Sequence, residues 1–322
     1  MSYKKIICLC IAFSLGAHVA FGQLSGLTKT SKGYDFSLNG KVVLSYQTEK
    51  EPVPEGVDDV FSKSGFIHPL KSPSGQILTR IQPSDHYHHY GIWGPYTRAT
   101  IDGREVDFWN IGDRKGRVEF AHVISEKVAG GAAELNVRQH HFDLKAEKSK
   151  QIAIKEDLRI KVKPADDNRY LVDYTTTIFT ELDEGILLDD YRYGGGLGFR
   201  ATEIWGRDNS TILTSEGDIR KTADGKNARW IIVKGESNSP AGQSGILFLS
   251  HNTNRAHPEP MRVWPEDNYD GKGNVFIEFC PIRHESWMIL PNNKYTLKYR
   301  MIVFDGDLSP EEAENYWRDF VK

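Results

Sequence analysis

Along most of its length this chain alternates apolar and polar residues at every second position. That period suits half-buried strands and cannot make an amphipathic helix. Tyr34, Phe36 and Leu38 alternate, then Val42, Leu44 and Tyr46, with Asn39-Gly40 between them. The dipeptide signals a type I′ hairpin, because both central positions of that turn need positive φ. The stretches 134–142, 151–162, 170–179, 230–233, 245–250, 275–279 and 295–304 alternate likewise or carry short β-branched runs. Residues 164–168 and Asp102-Gly103 read as turns. A helix is signalled only at the end. Ser309 is an N-cap, Pro310 sits at N1 and Glu312 completes a capping box, after which Ala313, Tyr316, Trp317 and Phe320 share one face.

These patterns predict an all-β protein: two large sheets packed face to face as a sandwich, with a short C-terminal helix latched onto one of them. Residues 23–322 are expected to form one domain, since no low-complexity linker or fixed repeat divides them. A chain of this length buries enough apolar surface to fold without disulfides or structural metal. Residues 49–60 and 255–273 read as the longest loops, and long loops on β scaffolds commonly carry function.

Residues 1–22 read as a secretory leader. Lys4 and Lys5 precede an apolar run from Ile6 to Leu15, and Ala20-Phe21-Gly22 puts small residues at −3 and −1. Cleavage after Gly22 is expected, leaving a periplasmic or secreted protein. Cys8 and Cys10 fall in the leader, so Cys280 alone would remain and no intramolecular disulfide could form. No later segment reaches transmembrane length. With 41 basic and 44 acidic residues the net charge is −3, and no basic stripe appears, which argues against a nucleic-acid binder.

The densest chemistry lies between His68 and Trp93, where Asp85-His86-Tyr87-His88-His89 places three imidazoles in four positions. In extended backbone His86 and His88 would face one way and His89 the other. Such a pair suits acid–base work on a sugar hydroxyl. It also suits a divalent metal, with His68 or Asp85 completing the set. No cofactor is predicted from this pattern; a metal at the His cluster stays open. Trp93 and Trp109 offer apolar faces on which a sugar ring can stack, or they belong to the core. Gly194-Gly195-Gly196 precedes Arg200 without a following helix pattern, so it reads as a bent strand lining a cleft, not a dinucleotide loop. Arg255 and His257 sit on a proline-stiffened stretch. Glu278 stands in an apolar strand, where burial would raise its pKa and suit it to acid–base catalysis, unless it faces solvent or pairs with an Arg.

His68-Pro69-Leu70, Ser72-Pro73-Ser74-Gly75, Thr79-Arg80, Pro83, Asp85-His86, His88-His89, Gly91-Ile92-Trp93 and Asp107-Phe108-Trp109 resemble the signature of the PmoA-like bacterial family of unknown function, frequent in Bacteroidetes. Residues 195–200, Arg255 with His257-Pro258, and the final strand through Gly306 extend the resemblance over nearly all of the mature chain. Tyr90 and Met261 depart from it, standing where Arg and Trp are common. The family takes its name from a membrane-embedded monooxygenase subunit, and this mature chain has no segment of transmembrane length. The resemblance implies a galactose-mutarotase-like supersandwich handling carbohydrate, in which a His and a Glu act as acid and base.

Three functions follow. The first is a carbohydrate-active enzyme (a hydrolase, lyase or epimerase) with His86, His88, His89 and Glu278 catalytic. Its substrate would be bound by His68, Arg80, Asp85, Trp93, Trp109, Arg200, Arg255 and His257. The second is a metal enzyme built on the His cluster. The third is a non-catalytic glycan-binding module.

Overall fold

The computed structural model describes residues 24–268 and 270–322; residues 1–22, read above as a leader, lie outside them. The described residues form a nine-stranded sheet, an eight-stranded sheet and a small four-stranded sheet, with one α-helix at Pro310–Phe320. The all-β sandwich with a C-terminal helix is thus the observed fold, and the third sheet is an addition to the expected two. The first hairpin joins Gly33–Leu38 to Lys41–Gln47, with positive φ at both Asn39 and Gly40, as its turn sequence demands.

Alternation sorts the side chains into three layers. On the strand Phe276–Phe279, Ile277 and Phe279 enter the core between the two large sheets, whereas Phe276 faces the other way. The same split separates Ile67 from Phe66 and Ile92 from Trp93. In the eight-stranded sheet Ile246 and Phe248 join the central core, while Leu247 and Leu249 face outward beneath the helix. Each large sheet therefore buries both faces locally. One outer face is covered by Tyr316, Trp317 and Phe320 of the helix. The other carries a separate aromatic cluster of Phe66, Tyr90, Trp93, Trp109, Trp264 and Phe276.

The helix starts as its sequence signals. Ser309 Oγ accepts from the Glu312 N–H at 3.2 Å, and Glu312 Oε2 accepts from the Ser309 N–H at 2.9 Å.

Two expectations need correction. The stretch read as a loop from residue 255 to 273 contains the strand Glu259–Val263, paired with Phe276–Phe279. Pro260 is tolerated because only the two-residue strand Asn227–Ala228 lies outside it, and its carbonyl still accepts from Cys280. The strand Ile152–Asp166 runs through Pro164, so the turn is shorter than expected. The long strand Gly116–Ala129 is weakly patterned because it closes one end of its sheet and its C-terminal half is exposed on both sides.

Candidate functional site

The aromatic face of the nine-stranded sheet is a floor built by register. Trp93 lies beside Gly198, Gly198 beside Glu278, and Glu278 beside Arg262. Two residues along, Arg200 lies beside Phe276, whose carbonyl accepts from Trp264 N–H at 3.1 Å. Trp93, Arg200, Phe276 and Trp264 thus share one face.

The His-rich segment folds over this floor in two tight turns, with His86 N–H bonded to Pro83 O at 2.8 Å and His89 N–H to His86 O at 3.0 Å. The segment is therefore not extended, and His89 does not point away from His86 and His88. One ring nitrogen from each of His86, His88 and His89 lies within 4.8 Å of the others. These three side chains could hold a metal ion.

His89 is the deepest, 1% exposed, with its ring 5.1–5.5 Å from those of Trp93, Trp109, Trp264 and Phe276. His86 and His88 stand above it and are partly exposed. Together the three line a cleft of about 230 Å³ whose other walls are Trp109, Trp264 and the segment Tyr191–Tyr193.

Arg200 organises the charges. Its guanidinium is 1% exposed, meets Asp85 at 2.7 Å and lies 4.7 Å from the Trp264 ring centroid. Asp85 also sits 3.3 Å from His86 Nδ1. Burial alone would raise the Asp85 pKa, but His86 and Arg200 hold it well below the usual carboxylate range. Burial pushes the His88 pKa down to about 3, helped by His86, Lys63 and Arg200. Burial likewise drives His89 well below its ordinary value. Both rings are therefore neutral at pH 7. Lys63 is itself buried beside the rings of Tyr90 and Trp93, and burial lowers its pKa to about 8.

Glu278 has no exposed surface and does not line the cleft. One oxygen accepts from the Gly194 N–H at 2.6 Å; the other is buried without a hydrogen-bond partner. Burial raises its pKa well above the ordinary carboxylate value. The glycine run beside it is a turn of three positive-φ residues, not a bent strand. A Cβ on Gly196 would come within 2.2 Å of the Phe279 carbonyl.

Of the residues singled out from sequence, His86, His88, His89 and Trp109 meet in the cleft, with Trp93, Asp85 and Arg200 directly behind them. The others are elsewhere. His68 Nδ1 is bonded to Thr79 Oγ1 at 2.8 Å, and Arg80 pairs with Glu203 at 3.6 Å. Arg255 bonds the Ser286 carbonyl at 2.9 Å and covers Trp287. His257 stacks on Trp317 of the C-terminal helix, on the far side of the sandwich, because the loop after the strand Gln243–Ser250 belongs to the other sheet. Sequence reasoning overlooked Tyr191, Arg192, Tyr193 and Trp264 as cleft residues. The first three immediately precede the glycine run, and Trp264 ends the proline-stiffened stretch; both segments had been marked as functional.

No functionally curated protein matches the sequence. Among solved structures, heparan sulfate lyase HepC from Pedobacter heparinus aligns at 9% identity and a TM-score of 0.40, covering 89% of this chain and 37% of that one. An alpha-galactosidase from Lactobacillus brevis aligns at 7% identity and a TM-score of 0.41, covering 88% and 38%. A galactose mutarotase related enzyme from Lactobacillus acidophilus aligns at 10% identity and a TM-score of 0.35, covering 88% and 98%. The chain spans little more than a third of the length of the lyase and the galactosidase. At the level of sequence, residues 33–318 match the family of unknown function DUF6807, and the chain belongs to that family.

Proposed function

We propose that this protein is a carbohydrate-active enzyme, periplasmic or secreted after loss of its leader, whose active site is the His-lined cleft. The PmoA-like membership drawn from the His signature is part of the same reading. The observation that carries it is the convergence of three imidazoles on an open cleft walled by Trp109, Trp264 and Tyr193. Aromatic faces suit the C–H face of a sugar, and the cleft volume falls below the roughly 300 Å³ at which drug-sized pockets begin, so it suits a single ring.

Within this reading His86 is the general base. Asp85 orients its Nδ1 side and stabilises the imidazolium that forms when Nε2 takes a proton. His88, held neutral, exchanges a hydrogen bond with a sugar hydroxyl. Glu278 is a positioning residue here, not a catalytic one. It lies under the cleft wall and holds the segment carrying Tyr193 through the Gly194 N–H.

A screen for hydrolysis, β-elimination and epimerisation on mono- and oligosaccharides tests the reading. Turnover that falls at least about a hundredfold in His86→Ala supports it. Turnover unchanged in His86→Ala and His88→Ala removes the catalytic assignment. Binding without turnover leaves a glycan-binding module.

A second reading, a divalent metal on the three imidazoles, is favoured by the 4.8 Å grouping. Against it stands Arg200, whose Nη1 lies 3.5 Å from His89 Nδ1. A guanidinium only donates, so that contact occupies the lone pair on Nδ1 and leaves the proton on Nε2. Elemental analysis of chelator-free protein decides: stoichiometric metal that His88→Ala loses establishes the metal site, and full activity without metal removes it.

A further inference from the structure

Three donor side chains at or just behind the cleft lack an acceptor or a charge partner among the described residues. The Trp109 indole lines it and is 4% exposed, yet its Nε1–H is buried with no hydrogen-bond partner. Trp93, whose ring is 5.7 Å away, has a buried Nε1–H in the same condition. Arg192 lies on the wall and is exposed. Its guanidinium rests 5.4 Å from the Tyr193 ring centroid, and no carboxylate among the described residues pairs with it.

The nearby carboxylates are already engaged. Asp85 serves Arg200 and His86. Asp224 serves Arg262 and Arg283 at 2.8 and 3.2 Å. The Tyr193 hydroxyl accepts from Arg262 and from Trp264 Nε1, both at 3.1 Å. Behind the cleft lies the buried amine of Lys63. A buried donor left unpaired is costly, and an acceptor-rich ligand is the group that would relieve it. Unpaired donors and an unpaired guanidinium therefore favour an acceptor-rich, anionic ligand over a cationic one.

Resting on the reading that the cleft takes a sugar, we propose that this sugar carries an anionic group, a carboxylate or a sulfate. Arg192 and the Trp109 Nε1–H bind that group, and the faces of Trp264 and Tyr193 take the ring. An Arg fork supplies an oxyanion with charge-assisted hydrogen bonds, which are about twice as strong as neutral ones.

Calorimetry on the full-length mature protein tests this with D-glucuronate, D-galacturonate, N-acetylglucosamine 6-sulfate, D-glucose and inorganic sulfate. At least one acidic sugar is expected to bind about tenfold or more tighter than glucose, and the preferred arm names the group as carboxylate or sulfate. Arg192→Ala, an exposed change that spares the core, is expected to remove most of that preference, and Trp109→Phe to reduce it. Glucose binding as tightly as every acid overturns this inference and leaves the sugar reading standing. Inorganic sulfate binding as tightly as the acidic sugars also overturns it, showing an adventitious ion only. A preference that survives in Arg192→Ala overturns the assignment. Absence of binding by every sugar, neutral or acidic, overturns the sugar reading and this inference together.

Discussion

Arg200 reaches from the sheet floor to Asp85 on the His-bearing loop, with 2.7 Å between guanidinium and carboxylate. The two residues are far apart in sequence, and their pairing ties the loop to the strand Leu197–Arg200. Arg200 has three roles at once: it anchors the loop, keeps Asp85 ionised beside His86, and stacks on Trp264.

Breaking this pair is expected to be expensive. Arg200→Met leaves the partly exposed Asp85 carboxylate without its main partner and should lower stability by roughly 2 kcal/mol, less than stranding a fully buried charge would. Asp85→Asn leaves the buried Arg200 guanidinium an amide oxygen in place of its counter-charge, so it should cost at least as much, and it should also reduce turnover through loss of His86 orientation. Urea denaturation and steady-state kinetics on the two variants check the difference. Turnover unchanged in Asp85→Asn would contradict the orienting role.

His89 makes stability acid-sensitive. Its folded pKa lies well below 6.5, so the unfolded chain takes up its proton first as pH falls. Its contribution is complete above about pH 6.5 and declines below that by up to about 1.4 kcal/mol per pH unit. Denaturation midpoints at pH 7 and pH 5 should converge in His89→Asn relative to the parent. A variant with the parent's pH slope contradicts this.

Glu259 acts in the opposite direction. It lies in the central core, bonded to Ser250, Asn254 and Tyr299, and burial raises its pKa to about 7. The folded state therefore holds a proton that the unfolded state releases, and stability falls as pH rises from about 4.5 to about 7. Glu259→Gln keeps a carbonyl for Ser250 and Asn254 and should flatten the curve over that window. The difference between parent and variant, measured at closely spaced pH values, isolates this residue from His89.

Gly196 tests the backbone beneath Tyr193. Its φ is +66°, and an added Cβ meets the Phe279 carbonyl, the Tyr299 hydroxyl and Pro281. Gly196→Ala should destabilise by more than about 2 kcal/mol, combining left-handed strain with a clash against backbone that cannot yield. Gly40→Ala, a left-handed turn glycine with open space around its Cβ, should cost distinctly less. Thermal melts of the pair separate steric closure from φ strain.

Much of this was legible before any coordinates, and the reasons are local. Asn39-Gly40 specifies its own turn, and Ser309 with Glu312 specifies its own helix start, because each interaction spans only a few residues. The site was legible as an inventory. His86, His88, His89 and Trp109 were singled out and do meet, since chemistry crowded into a short segment stays together in any fold. His68, Arg80, Arg255 and His257 had equal chemical merit, and nothing near them in sequence distinguished them. Tyr191, Arg192 and Tyr193 were overshadowed by the glycines that follow them. The strand Gly116–Ala129 was missed because an end strand exposed along half its length loses the alternation that marks the others.

The sequence by itself determined the regularly alternating strands with their inward and outward faces, the cap of the helix and the enrichment of imidazole and indole around residues 85–109. Tertiary structure alone decided which imidazoles face one another. Two tight turns brought His89 round to His86 and His88, register set Trp93, Phe276 and Trp264 beneath them, and the second sheet carried His257 to the opposite side. The division has a physical cause: alternation and capping are properties of neighbouring residues, whereas convergence depends on pairings between strands far apart in sequence.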